Sequence, residues 1–157
     1  MSKKQTLKPH SDAKQKQYER EARLQYGAES VNTSIQRWNS YSKAKQDEIM
    51  AEAGVVSTDL VEAMKRERLS GPVDVTDILD RWQQNLRYFY EPTLEILRGL
   101  GEMYNADPEF NATFTKIHPD LPAYLQEKIT QYVDDLETAE LERMLAEDEQ
   151  RVQRLNG

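Results

Sequence analysis

The feature that most constrains the fold is an apolar repeat in the stretch between Ser42 and Gly71. Its apolar positions are Ile49, Ala53, Val56, Leu60 and either Ala63 or Met64. Intervals of three and four residues place these side chains on one face of an α-helix. Ser42 is a typical helix-start residue, and Gly71-Pro72 is a typical stop. The pattern predicts one long amphipathic helix.

Helical spacing also dominates the rest of the chain, and no segment shows the alternation that is typical of a strand. The predicted helices run from Ser11 or Asp12 to Gly27, from Glu29 to Trp38, from Ser42 to Gly71, from Asp74 or Thr76 through Phe89, from Pro92 to Gly101, from Asp107-Pro108 through Ile117, and from Leu121 onward. The predicted fold class is therefore all-α, with about seven helices.

The pattern divides the chain into a main domain and two flanking segments. Residues 1–11 are polar and lysine-rich, and we expect them to be disordered. Residues 12–136 form the predicted domain, and its first helix has too narrow an apolar stripe to be stable alone. Residues 137–157 are predicted to be a charged helical extension, suited to pairing with another helix.

Composition excludes several functions. The net charge of −7 repels nucleic acid and anionic membrane surfaces, so we expect neither as a partner. The absence of cysteine removes disulfides and thiolate sites, and it fits a cytoplasmic protein. His10 and His118 have no second histidine at helical spacing, so we expect no metal and no cofactor. No catalytic motif is present, and we expect no enzyme activity.

The stretch "RGLGEMYNADPEF", residues 98–110, carries a mixed signal. Gly99 and Gly101 indicate close packing against a neighbouring helix. Asp107-Pro108 is a helix start that sends the chain in a new direction. Met103 and Tyr104 lie between these features and are candidates to reach a cleft.

Aromatic residues are concentrated around the predicted fourth helix. On that helix Trp82 and Phe89 share one face, while Arg81, Asn85 and Tyr88 share another. The first face is typical of a core. The second combines a ring with polar groups, as binding pockets do. For Tyr88 and Tyr90, packing and ligand contact both remain open.

The region "RYFYEPTLEILRGLGEMYNADPEFNATF" resembles the TipAS antibiotic-recognition domain, the drug-binding part of MerR-type regulators that respond to thiopeptides. The matching residues are Tyr90, Glu95, Arg98, Gly99, Leu100, Tyr104, Asp107, Pro108 and Phe110. Weaker similarity extends the resemblance over residues 18 to 135.

The resemblance implies a globin-like bundle around a ligand cleft, with N-terminal helices that fold over a bound drug. Residues 12–41 would then be a mobile lid. The partner implied is a thiopeptide or a similar peptidic macrocyclic antibiotic. The ligand-binding candidates are Trp38, Tyr41, Arg81, Trp82, Asn85, Tyr88, Tyr90, Leu97, Met103 and Tyr104.

The chain departs from the family pattern in ways that bear on mechanism. Well-known members capture the drug through a cysteine, which this chain lacks. Two family histidines correspond to Leu97 and Arg81, which changes the polar pattern of the cleft. Taken as complete, the chain also lacks a DNA-binding domain. The expected function is non-covalent sequestration of the drug. The alternative is an effector module of a split MerR-type regulator, acting through dimerisation or a DNA-binding partner.

Overall fold

The computed structural model describes residues 12–157, and over that range the chain forms seven α-helices and no strand. The helices are α1 (Asp12–Tyr26), α2 (Ala28–Ser40), α3 (Lys43–Ser70), α4 (Thr76–Leu86), α5 (Leu94–Ala106), α6 (Pro108–Thr115) and α7 (Leu121–Asn156). The predicted all-α class and number of helices are confirmed. The predicted disordered segment, residues 1–11, lies outside the described residues.

The predicted helix-boundary residues act as caps. The Ser42 side chain accepts a hydrogen bond of 3.1 Å from the backbone N–H of Lys45 at the start of α3. Gly71 ends the same helix with a positive φ of 95°, which favours glycine. Asp107 caps α6, and Pro108 occupies its first turn.

The prediction for the end of α4 was wrong. The helix stops at Leu86, so Tyr88 and Phe89 lie in the following turn. There the backbone tightens, because Phe89 N–H bonds to the carbonyl of Leu86 at 2.9 Å, three residues earlier. Tyr88 therefore does not continue the helical face of Arg81 and Asn85, and Phe89 does not continue that of Trp82.

The predicted start of α5 at Pro92 was also wrong. The N-cap is Thr93, whose side chain accepts a hydrogen bond of 3.1 Å from the N–H of Ile96. The threonine hydroxyl thus pairs one of the first-turn N–H groups that have no acceptor within the helix. Pro92 therefore precedes the helix instead of beginning it.

The chain divides into two compact units, of which the first ends at Pro92 and the second begins at Thr93. In the first unit, α1 packs on α2 and α3 packs on α4. The core side of α3 is buried at Ile49, Val56, Leu60, Val61, Ala63 and Met64. Ala63 and Met64 are both buried, so the apolar stripe includes both residues.

The second unit packs α5 and α6 on α7. Gly101 allows the close approach of α5, because a Cβ placed there would lie 2.9 Å from Cγ2 of Ile129. Gly99 faces open space, so its predicted packing role was wrong. Helix α7 runs unbroken through residues 136 and 137, and the domain boundary predicted there stays a prediction.

Within residues 12–157, none of the helices combines the length and apolarity that crossing a bilayer requires.

Candidate functional site

The first unit contains a group of four rings, Trp38, Tyr41, Tyr88 and Phe89, which we call the Trp38 cluster. Trp38 lies near the end of α2, and its residue is only 3% exposed. Its ring centroid is 5.4 Å from that of Phe89, with the planes tilted by 33°. This spacing is typical of a favourable aromatic contact.

Polar contacts hold the backbone at Trp38 in place. Its carbonyl accepts a hydrogen bond of 2.8 Å from the Gln46 side-chain amide, which is buried on α3. The same carbonyl accepts from the backbone N–H of Tyr41 at 3.2 Å. The last turn of α2 is therefore fixed both to the following residue and to the next helix.

The indole N–H of Trp38 is buried, and no acceptor for it exists in the part of the chain that the structure describes. Buried donors are nearly always paired, and leaving one unpaired costs about 1–3 kcal/mol. A ligand with a carbonyl oxygen would supply the missing acceptor. The Trp38 cluster thus combines apolar ring surface with a directional polar group.

Tyr41 and Tyr88 form the second half of the cluster. Tyr41 Oη donates a 2.5 Å hydrogen bond to the backbone carbonyl of Tyr88. Their ring centroids are 6.2 Å apart, and the planes meet at 86°, edge to face. The residue that follows α2 is therefore joined to the turn that follows α4.

Two charged side chains of α3 lie near Tyr88. Its hydroxyl lies 3.5 Å from a carboxylate oxygen of Glu52, at the limit of a hydrogen bond. Lys45 Nζ lies 5.0 Å from the ring centroid, within the range of a cation–π contact. The hydrogen bond from Lys45 to Glu48 raises the pKa of the lysine. A fixed positive charge therefore lies beside this ring.

Two polar candidates bond to other parts of the first unit. Asn85 Nδ2 donates to the carbonyl of Ile49 at 2.9 Å, which ties α4 to α3. Arg81 pairs with Asp59 at 2.7 Å in an exposed salt bridge, a type that contributes little to stability. Arg81 could exchange this partner for a ligand more easily than Asn85 could.

The other two candidates in this unit differ in exposure. Trp82 is buried on α4, whereas Tyr90 is half-buried in the segment between α4 and α5. The backbone N–H of Tyr90 bonds to the Leu86 carbonyl at 3.1 Å, which completes the turn.

The remaining three candidates lie in the second unit. Tyr104 is buried on α5, with its ring centroid 5.6 Å from that of Phe110 and 5.0 Å from that of Phe114 on α6. Met103 is half-buried and Leu97 is fully buried. Seven of the ten candidates therefore lie in the first unit and three in the second.

Within residues 12–157, no group of three or more His, Asp or Glu side chains is arranged to hold a metal ion. His118 acts as a turn residue, as its position before Pro119 predicts: its Nδ1 accepts a hydrogen bond of 3.1 Å from the N–H of Asp120.

Sequence reasoning missed three members of the surroundings of the Trp38 cluster. Helical spacing predicts that Phe89 lies in the core with Trp82, whereas its ring contacts Trp38. Gln46 and Lys45 follow the Ser42 cap and read as ordinary polar helix positions. The aromatic run at residues 88–90 could have indicated Phe89, but nothing in the pattern marks Gln46 as buried.

These features define a helical ligand-recognition domain, in which buried ring surface lies beside an indole donor that has no acceptor among residues 12–157. The chain belongs to the TipAS antibiotic-recognition domain family, whose model matches residues 18–132.

Curated relatives include regulators of transcription. The chain is 32% identical over 126 residues to the "HTH-type transcriptional activator mta" of Bacillus subtilis (strain 168), covering 78% of this chain and 48% of the relative. It is 33% identical over 90 residues to the "HTH-type transcriptional regulator SkgA" of Caulobacter vibrioides (strain NA1000 / CB15N), covering 56% and 35% respectively. The chain thus spans half or less of the length of these relatives. No solved structure gives a match.

Family and relatives together indicate a ligand-sensing regulatory domain, and neither indicates an enzyme.

Proposed function

We propose that this chain binds thiopeptides or similar peptidic macrocyclic antibiotics reversibly and sequesters them in the cytoplasm, which would confer drug tolerance. The observation that supports this proposal best is the buried indole N–H of Trp38, which lacks an acceptor among the described residues. A peptidic macrocycle carries many amide carbonyl oxygens and large apolar surfaces. Both complement the Trp38 cluster.

Binding would be non-covalent. A cysteine thiolate can add to a dehydroalanine of a thiopeptide, and this chain has no cysteine to do so. Retention of the drug would then depend on contact area, on hydrogen bonds and on the ordering of the protein around the ligand.

Residues 12–41 would act as the lid. Helix α1 packs on α2 and leaves Leu24 90% exposed. A helix with so little buried apolar surface is held weakly, and contact with a ligand would cover more of it. Because Trp38 belongs to this segment, opening of α2 would give a carbonyl oxygen access to the indole N–H.

The other proposed contacts are less direct. Tyr41 and Tyr88 would offer ring surface, and Arg81 would orient a polar group of the ligand after leaving Asp59. The remaining proposed contacts are Trp82, Asn85, Tyr90, Leu97, Met103 and Tyr104.

A second candidate function is that of the effector part of a split MerR-type regulator. The observation that favours it is the identity shared with mta and SkgA, both named as HTH-type regulators and both about two to three times as long as the matched segment. In that case ligand binding would be relayed to a DNA-binding partner instead of serving sequestration.

Thermal unfolding and tryptophan fluorescence test the first proposal directly. A panel of thiopeptides and unrelated macrocyclic antibiotics is titrated into the full chain. A ligand that binds the native state raises the midpoint of unfolding. We expect Trp38→Phe to weaken binding by about five- to tenfold, because it removes one hydrogen bond while keeping an aromatic ring.

Trp82→Phe is the matched comparison, since it makes the same chemical change at a second buried tryptophan. We expect it to weaken binding less, and it leaves Trp38 as the fluorescent reporter. If no compound changes the midpoint or the emission of the wild-type chain, the proposal is wrong. Equal losses in both variants would contradict the specific role of the Trp38 indole.

A further inference from the structure

The second half of α7, residues 137–156, extends as an exposed helix that we call the tail helix. Every residue in it is exposed, yet five of them are large and apolar, with exposures between 49% and 80%. They are Leu141, Met144, Leu145, Val152 and Leu155. Exposed apolar surface of this extent is typical of an interaction site.

The five side chains form one stripe. At about 100° per residue they fall within an arc of about 100°, the width of a packing face. Leu141 lies about 120° around the helix from Ile129, which is fully buried in the core of the second unit. The stripe borders the core-facing side at Met144, which lies about 20° from the buried Val133, and its other residues turn away from the core.

Charge is distributed unequally along the tail helix. Residues 137–149 contain six acidic side chains and one arginine, whereas residues 150–156 contain Arg151 and Arg154 and no acidic side chain. Two such helices in parallel would place acidic segments side by side. In an antiparallel pair, each basic end lies against the acidic segment of the other helix.

We propose that the tail helices of two copies of this chain pair antiparallel through this stripe and form a homodimer. A two-fold axis near Asp148 would place Leu141 opposite Leu155 of the second copy and Met144 opposite Val152. Arg151 and Arg154 would then lie alongside the acidic segment of the second copy. This one arrangement both buries the apolar stripe and places each basic end against an acidic segment.

Asp148 lies at the centre of the stripe. In the proposed dimer it would face Asp148 of the second copy at the two-fold axis. It pairs with Arg151 on the same helix, which partly neutralises it. A polar residue in a helical seam fixes the register at a cost in stability. The tail helix is only about 30 Å long, so we expect a weak dimer that depends on protein concentration.

Sedimentation equilibrium on the full chain tests the dimer, from low micromolar to about 300 µM protein. We expect the mass to rise from the 18.3 kDa of one chain towards twice that value. Leu145→Asp should leave the chain monomeric. Ala146→Asp is the control, because it adds the same charge at the neighbouring residue on the opposite face.

Asp148→Leu completes the stripe, and we expect it to tighten the dimer by at least about tenfold, since a buried charge is removed from the seam. Leu145 and Asp148 are both exposed in the single chain, so unchanged helical circular dichroism would show that folding is intact. A monomeric wild-type chain over the whole concentration range, or equal effects of Leu145→Asp and Ala146→Asp, would overturn the proposal.

Disulfide trapping tests the orientation, and the cysteine-free chain suits this experiment. In the antiparallel pair, Leu141→Cys and Leu155→Cys chains should cross-link with each other far faster than either does with itself. Faster self-linking of each variant would show a parallel pair and overturn the proposed orientation. Substitution of both Arg151 and Arg154 by Glu should weaken the dimer only if the two helices pair antiparallel.

Discussion

Tyr41 and Tyr88 are joined twice, once by the 2.5 Å hydrogen bond from Tyr41 Oη to the Tyr88 carbonyl and once by the edge-to-face contact of their rings. The two residues are 47 positions apart in the chain. One follows the last residues of α2, and the other lies in the turn after α4. The pair therefore anchors the end of the proposed lid to the more firmly packed helices of the first unit.

Tyr41→Phe removes the hydrogen bond and keeps the ring. We expect the free energy of unfolding to fall by about 1 kcal/mol, or slightly more because the Tyr88 carbonyl loses a partner. Urea denaturation followed by circular dichroism measures this change. Tyr88→Phe is the matched control: its hydroxyl contacts Glu52 only at 3.5 Å, so the loss should be smaller. A larger effect from Tyr88→Phe would contradict this assignment.

Gly101→Ala and Gly99→Ala should change stability in opposite directions. At Gly101 a methyl group would meet Cγ2 of Ile129 at 2.9 Å, and because Ile129 is fully buried, relieving this contact would disturb the packing of the core. We expect a loss of about 1–3 kcal/mol. At Gly99 an added methyl group would face open space within the described part of the chain, so alanine should add about 0.5–1 kcal/mol through helix propensity. Thermal unfolding of the two variants distinguishes these results, and destabilisation by both would refute the packing argument.

Asp107→Ala removes the cap of α6. The Asp107 side chain accepts bonds of 3.1 Å from the N–H groups of Glu109 and Phe110, and its loss should cost about 0.5–2 kcal/mol. Asp107→Asn keeps an acceptor and should retain most of the stability. Asp120→Ala is a useful comparison, because Asp120 precedes α7 without a side-chain capping bond. Chemical denaturation should therefore show a smaller loss for Asp120→Ala.

Asp74 should titrate below the ordinary range of an aspartate. Its carboxylate accepts from the Thr76 hydroxyl at 2.6 Å and from the Thr76 N–H at 2.9 Å, and these bonds lower its pKa. A carboxyl group whose pKa is lower in the folded state than in the unfolded state stabilises the fold at pH values above the unfolded-state pKa. This contribution is lost as the pH falls through the folded-state pKa.

Thr76→Val removes the hydroxyl donor, and carbon-detected NMR titration should show the Asp74 pKa moving upward towards its ordinary value. An unchanged pKa would show that the hydroxyl is not its cause. The stability difference between wild type and Asp74→Asn should shrink as the pH falls from about 4, the ordinary aspartate pKa, and should be smallest below the lowered folded-state pKa, where Asp74 is protonated.

Local signals in the sequence predicted the fold well, because helix starts and stops depend on neighbouring residues. One residue decides each of three boundaries: the hydroxyl of Ser42, the missing side chain of Gly71 and the carboxylate of Asp107. The prediction failed at the end of α4. There the helical apolar spacing continues to Phe89, while the backbone already tightens before Pro92.

The surroundings of the site were less predictable, because they depend on contacts between residues distant in sequence. The Trp38–Phe89 contact and the bond from Asn85 to Ile49 join segments at least 36 positions apart. Whether the Trp38 indole finds an acceptor depends on every surrounding atom, and among the described residues it finds none. The family resemblance indicated which aromatic residues to consider but not which of them pair with each other.

Hydrogen exchange tests the lid most directly. In the free chain we expect the amides of residues 12–41 to exchange faster than those of α3, because α1 buries little apolar surface and packs on α2. A thiopeptide that raises the unfolding midpoint should slow exchange over residues 12–41 more than in α3, since closure orders the segment around the ligand. Mass spectrometry of peptides from both regions, with and without the compound, gives this comparison. Tyr41→Phe should speed exchange at the end of α2 in the free chain. Strong protection of residues 12–41 without ligand would show that this segment is already closed, and the lid proposal would then fail.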